Sequence, residues 1–239
     1  DGLSQQEAID RIWLNDRNGL VTDDMEGLPD YQEPYAKPVE KVRHWARING
    51  HIGLMEAIRQ IHPTILVGTS TDHDAFTQQI VEEMCREVER PIILPLSNPT
   101  EKIEAMPTDV IAWSKGKALV SAGIPIEPFH YAGTRYEIGQ GNNALLYPGL
   151  GLGAIVSGAE RVSDSMIRAA ADAVSSQVDP RPAGSSLLPA VENLRASSAT
   201  VAVAVVQAAI EEGIATKKPS NVVQAVQDAM WWPHYPPVD

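Results

Sequence analysis

The sequence predicts an α/β fold: a doubly wound, mainly parallel sheet with flanking helices at the C-terminal end. Three observations lead there. Short apolar runs near residues 12, 64, 92 and 118 are spaced by segments of helical periodicity, which is the pattern of βαβ units. Each run is closed by small or polar residues: Asp16, Thr69 to Thr71, Ser97-Asn98 and Ala122-Gly123. Beyond Gly158 the strand signals stop and segments rich in alanine and valine take over.

Ser4 and Glu7 have capping-box spacing, so a short helix is expected to start at Ser4. Ile12-Trp13-Leu14 is a β-prone run ending at Asn15-Asp16, followed by the turn residues Arg17-Asn18-Gly19. Residues 23–38 are acidic, aromatic and proline-bearing without a period, and read as loop. Leu54, Ala57, Ile58 and Ile61 repeat at helical spacing before the strand Thr64 to Val67. Phe76, Ile80, Val81, Met84 and Val88 form the apolar face of the next helix, and Ile92 to Leu96 the next strand. Pro107 suits the first turn of a helix running to Ser114. Ala118 to Ser121 reads as a strand, and Tyr131 to Thr134 as the tip of a small hairpin.

From Gln140 to Gly153 the chain passes from adjacent amides between glycines into an apolar run with glycines at alternate positions. Amides both donate and accept, so this stretch reads as a polar mouth over a closely packed helix. Residues 163–178, 188–212 and 219–232 read as three packing helices. The aromatic, proline-rich tail Trp231 to Pro237 could dock on a neighbouring surface.

The 239 residues carry a net charge of -12, which disfavours nucleic acid and anionic membrane as partners. No apolar run approaches the length of a membrane span. The single cysteine, Cys85, excludes an internal disulfide and fits a reducing, cytoplasmic setting. Residue 1 is Asp, and Asp1-Gly2-Leu3 reads as the continuation of a longer chain.

In open parallel sheets, ligands bind beyond the carboxyl ends of the strands, so the residues closing each run are the site candidates. Asp16 has the position of an acid holding ribose hydroxyls, or is simply a turn aspartate; the glycine-rich loop that would precede it is absent from the chain. Thr69, Ser70 and Thr71 line a nucleotide site or merely end a strand. Asn98, fixed before Pro99, is either presented to a ligand or closes an Asx turn. Asp72-His73-Asp74 lacks the further partners of a metal site or triad, and Asp74 suits a helix N-cap. Cys85 lies on an apolar helix and reads as inert. Tyr31, Tyr35 and Lys37 offer acid-base groups that a surface loop also explains. The residues alone support an α/β domain binding a nucleotide or a small acid.

Three strings carry a resemblance: Ile12-Trp13-Leu14-Asn15-Asp16-Arg17-Asn18-Gly19-Leu20, Arg90-Pro91-Ile92-Ile93-Leu94-Pro95-Leu96-Ser97-Asn98-Pro99-Thr100, and Gly139-Gln140-Gly141-Asn142-Asn143-Ala144 through Gly153. In this order they resemble the malic and malolactic enzyme family, over nearly the whole chain. The resemblance implies a Rossmann-like NAD-binding domain over residues 1–160, its first βα unit lying upstream, and a helical segment over 161–239. It implies Asp16 at the NAD ribose and Thr69, Ser70 and Thr71 bordering the cofactor. It also places Asn98, Asn142 and Asn143 at malate, with Asn98 and Asn143 reaching the nicotinamide end. The family's metal-binding acids for Mg or Mn, its catalytic tyrosine and lysine, and its phosphate loop would belong to an N-terminal part of the same enzyme. The implied reaction is NAD-dependent oxidation and decarboxylation of malate to pyruvate. The alternatives are malolactic conversion to lactate, to which Thr69-Ser70-Thr71 and Gly123-Ile124-Pro125 look closer, and a nucleotide-binding domain without catalysis. A homo-oligomer is expected.

Overall fold

The computed structural model describes residues 2–232. Ser4 caps helix α1 (Gln5–Asp10) as anticipated: its Oγ accepts the Glu7 N–H, and the Glu7 carboxylate accepts the Ser4 N–H at 2.7 Å. The next segment departs from expectation. Ile12-Trp13-Leu14 is not a strand, and pairing begins only at β1 (Asn15–Asp16), which folds back antiparallel on β2 (Gly19–Leu20) as a separate two-stranded ribbon. Strand propensity is realised only against a neighbouring edge. Here Trp13 stacks on Trp45 instead, with ring centroids 5.5 Å apart. Gly19 is required where it stands, because its φ is +92° and a Cβ would lie 2.6 Å from Ile52 O. A small core of Leu20, Val42, Ile52 and Ala57 joins this ribbon to α2 (Val39–Val42) and α3 (Leu54–Ile61).

The main sheet follows. Strand β3 (Ile65–Gly68), α4 (Gln78–Glu87), β4 (Ile92–Pro95), α5 (Pro107–Trp113) and β5 (Leu119–Ala122) form consecutive βαβ units. The hairpin β6 (Phe129–Tyr131) and β7 (Thr134–Tyr136) leads to β8 (Gly139–Gln140), a strand the sequence reading did not anticipate. The order is β3-β4-β5-β8, and every pairing is parallel. Leu66, Ile93 and Val120 bury one face of the sheet against Ile58, Ile80, Val81, Met84, Val110 and Ile111. Each such aliphatic side chain contributes about 1.5–3 kcal/mol by leaving water. On the other face, Ile65 and Val67 remain 51% and 52% exposed.

After β8 the chain is helical: α6 (Tyr147–Ser157), α7 (Asp164–Ser175), α8 (Leu194–Glu212) and α9 (Val222–Ala229). Gly149 and Gly153, four apart on one face of α6, let it approach α8. A Cβ at either would lie 2.5 or 2.6 Å from the Cβ of Val201 or Val205. Gly151 faces open space, so close packing explains two of the three glycines and not the third. The stretch Val191–Glu212, with a mean hydropathy of 1.2, is long and apolar enough to cross a membrane, contrary to the sequence reading. Val201, Ala202, Val205, Val206 and Ala209 of this stretch are buried within the helical layer. At the far end Arg195 donates to Trp231 O at 3.1 Å and lies 3.7 Å above the Trp232 ring. The rest of the expected docking tail, residues 233–237, lies outside the described residues.

Candidate functional site

Because the four strands are parallel, their carboxyl ends share one edge. Each loop there is tied to the end of the neighbouring strand. Leu96 N–H donates to Gly68 O at 2.9 Å, Gly123 N–H to Pro95 O at 3.0 Å, and Gly141 N–H to Ala122 O at 2.7 Å. This edge gathers Thr69, Ser70, Thr71, Asn98, Asn142 and Asn143, all of them exposed. Among the described residues, the side chains of Thr69, Thr71, Asn98 and Asn143 make no hydrogen bond. The backbone is drawn in tightly below them: a Cβ on Gly123 would lie 2.0 Å from Leu96 O. Asn142 has a structural duty as well. Its Oδ1 accepts the Ala144 N–H at 2.9 Å, capping the short 3-10 turn Asn143–Leu145 that leads into α6. The amide-glycine stretch is therefore a polar helix approach, as its composition implied.

The loop after β3 is held in an unusual shape. Thr71 and Asp74 have φ of 58° and 59°, left-handed backbone that costs a non-glycine residue on the order of 1–3 kcal/mol. For Thr71 the β-branch makes this a genuine outlier. The Thr71 N–H donates to Ser97 Oγ at 2.9 Å. Asp74 does not cap the following helix, because the left-handed turn ends before it; Thr77 does, its Oγ1 accepting the Ile80 N–H. Asp72-His73-Asp74 stays exposed, with His73 Nε2 3.5 Å from Asp74 Oδ2.

Beneath this loop lies a residue that the sequence reading passed over. Glu104 is fully buried, at 0% exposure, and makes no ion pair among the described residues. Its Oε1 accepts from Ser70 N–H and Ser70 Oγ–H at 2.7 and 2.8 Å and from Ser97 Oγ–H at 2.5 Å, and its Oε2 accepts Ser97 N–H at 3.2 Å. Burial pushes the carboxyl pKa up, but the hydrogen bonds from Ser97 and Ser70 outweigh it and hold the group below its usual range, hence ionised at neutral pH. The one signal in the sequence is an acid set among Ile103, Ala105 and Met106 outside any helix.

Asp16 does not stand at the end of a strand of the main sheet. It lies on the two-stranded ribbon, and its Oδ1 accepts the Asn18 N–H at 2.7 Å, so the acid expected at a strand end also serves as the turn aspartate that the sequence offered. The physical reason is that Ile12 to Leu14, lacking a strand beside them, do not extend the sheet. Lys37, a candidate acid-base group, is 3% exposed and donates to Ile9 O and Asp10 O, both at 3.1 Å. Burial lowers its pKa. Burial likewise raises the Cys85 thiol pKa, in keeping with an inert cysteine. A cleft of about 230 Å³ lined by Arg90, Lys117, Tyr136 and Arg181 opens at the opposite, amino-terminal edge, away from these residues.

With this geometry, similarity to known proteins is informative. Residues 1–210 match the family model described as the malic enzyme, NAD binding domain. The chain belongs to this family. It is 50% identical over its full length to the NAD-dependent malic enzyme 3 of Bacillus subtilis, covering 42% of that protein. It is 44% identical over 98% of its length to the malolactic enzyme of Lactococcus lactis, covering 43% of it. The crystal structure of the malic enzyme from Pyrococcus horikoshii superposes with a TM-score of 0.64 at 26% identity, over 88% of this chain and 43% of that one. The chain thus spans less than half the length of these relatives. The carboxyl edge fits a dinucleotide: it offers hydroxyls and amides without internal partners above closely drawn backbone. A metal does not fit in the same way, since among the described residues no group of three or more His, Cys, Asp or Glu side chains could hold one.

Proposed function

We propose that the chain is the downstream, NAD-binding part of an NAD-dependent malic enzyme, converting malate to pyruvate and carbon dioxide together with an N-terminal part of the same protein. The observation that carries the reading is the single edge where Thr69 to Thr71, Asn98 and Asn142-Asn143 emerge together, the side chains of Thr69, Thr71, Asn98 and Asn143 having no hydrogen-bond partner among the described residues. NAD, when bound, supplies the hydride acceptor. The chain's own share is to hold both molecules: the amides of Asn98, Asn142 and Asn143 hold malate, Asn98 and Asn143 also reach the nicotinamide end, and Thr69 to Thr71 border the cofactor. Asp16 is assigned the adenosine ribose on the family resemblance alone. A divalent Mg or Mn and the proton-transferring groups are assigned to the N-terminal part, and no step here runs through them.

The surface supports such a partner segment. β3 pairs on one side only among the described residues, and Ile65 and Val67 beside that edge are half exposed. We place the domain division at residues 160 and 161, with α6 and α8 packed across it, and a homo-oligomer in a cytoplasmic setting completes the proposal. Malolactic conversion is the second reading, favoured by Thr69-Ser70-Thr71 and Gly123-Ile124-Pro125. Incubating the longer enzyme with malate and NAD separates them. Stoichiometric NADH and pyruvate are expected; lactate without accumulated NADH would move the assignment to the malolactic reading, and no turnover of malate would overturn both.

A further inference from the structure

We propose that Glu104 is a positioning residue for the dinucleotide: by gripping Ser70 and Ser97 on one buried carboxylate, it locks the loop after β3 to the turn after β4, so that Thr71 and Asn98 face one ligand in fixed register. The inference deepens the NAD-binding reading above and rests on it. Four donors from two different loops converge on this side chain, and among the described residues no cation pairs with it as in an ordinary ion pair. Two relays extend the grip. Ser97 Oγ passes it to the Thr71 N–H at 2.9 Å, and Ser70 Oγ to the Asp72 N–H at 3.1 Å. The residues restrained are the strained ones, since Thr71 sits in left-handed backbone.

The rest of the cradle is shaped for this side chain. Gly68, the last residue of β3, has no room for a Cβ, which would lie 2.6 Å from Glu104 Cδ. The backbone of Glu104 joins in as well, its carbonyl accepting the Phe76 N–H at 2.9 Å and so closing the loop from its far end. A residue needed only for the core would be served by an apolar side chain of the same volume. A buried ion held by loop donors alone fixes geometry at a cost in solvation, which is the arrangement expected where two loops must present groups to one ligand.

The test uses the longer enzyme. Glu104→Gln keeps volume and burial but replaces Oε2 with a donating amide, so the Ser97 N–H loses its acceptor and faces another N–H, while the uncharged amide oxygen holds the remaining donors more weakly. The KM for NAD, and the NAD dissociation constant measured by calorimetry, are expected to rise about tenfold, while kcat at saturating NAD changes by less than about threefold. Ser97→Ala, which deletes the Oγ–H bond to Glu104 and with it the relay to the Thr71 N–H, should shift both in the same direction by about threefold and decides the matter if the Gln variant does not fold. Met84→Ala, in the core beneath the sheet, lowers the melting temperature and should leave the KM for NAD unchanged. A Glu104→Gln enzyme (or, failing that, Ser97→Ala) with a KM for NAD within about twofold of wild type, or with a rise matched by Met84→Ala, overturns the positioning role. A wild-type enzyme that does not bind NAD overturns the functional reading and this inference with it.

Discussion

Glu104 and Lys37 are the same device with opposite signs. Each is a buried charged side chain with no ion pair among the described residues, held by hydrogen bonds from two separate stretches of chain or to the end of a helix. What surrounds them differs. Lys37 caps the last carbonyls of α1 and lies 4.9 Å above the Trp13 ring, in a corner whose other members are the stacked Trp13 and Trp45. Glu104 lies under Ser70, Thr71 and Ser97, at an edge where the side chains of Thr69, Thr71, Asn98 and Asn143 have no hydrogen-bond partner among the described residues. A buried ion is thus not by itself a sign of function. What it restrains decides: Lys37 restrains packing, and Glu104 restrains groups aimed outward.

The largest break in this comparison comes from removing Glu104 altogether. Glu104→Ala orphans the Ser70 and Ser97 N–H groups, each at about 1–3 kcal/mol, and should lower stability by their sum as read from urea denaturation. Asn143→Ala should raise the KM for malate by the loss of a hydrogen bond to a charged ligand, about 1.5–3 kcal/mol, with the melting temperature nearly unchanged; an unchanged kcat/KM removes Asn143 from the site. Lys37→Met is expected to cost about 1–3 kcal/mol of stability, since two carbonyls lose a charged donor, and to leave the KM for NAD alone. A shift in that KM would dissolve the distinction drawn above.

Acid pH separates the two ions further. The Glu104 pKa lies below its usual value of 4.5 in the folded protein, so its stabilisation is complete above that value and is lost as pH falls through the lower, folded value. The melting temperature of the wild type should therefore drop more steeply than that of Glu104→Gln once pH falls below about 4.5. Parallel curves would show that the carboxylate is not ionised in the fold. The smallest effect is expected at Asp16→Ala: a rise in the KM for NAD alone, because one of its oxygens already serves the Asn18 N–H. An effect confined to malate would contradict the ribose assignment.

The parallel sheet was legible where local pattern and tertiary demand agree. Ile65 to Gly68, Ile92 to Pro95 and Leu119 to Ala122 are β-prone, closed by small or polar residues and spaced by amphipathic helices. Ile12 to Leu14 is as β-prone, yet is not a strand, because propensity does not supply a neighbouring edge. β8 escaped for the converse reason: Gly139-Gln140 has no alternation to read, and its place comes from pairing with Ser121 and Ala122, helped by Ser121 Oγ–H donating to Gly139 O at 2.6 Å. At the site, strand ends exposed the outward-facing residues to inspection. Glu104 was invisible among apolar neighbours because its partners stand 34 and 7 residues away, a distance that only the crossover between β3 and β4 closes.

On the proposed function, the carboxyl edge of the sheet is the ligand edge. Hydrogen–deuterium exchange of the longer enzyme with and without NAD tests it at residue level. NAD should slow exchange in residues 69–76 and 96–99, with malate extending the protection to 141–146. Protection confined to residues 116–119 and 181–185, at the opposite edge, or no protection in this chain at saturating NAD, would contradict it.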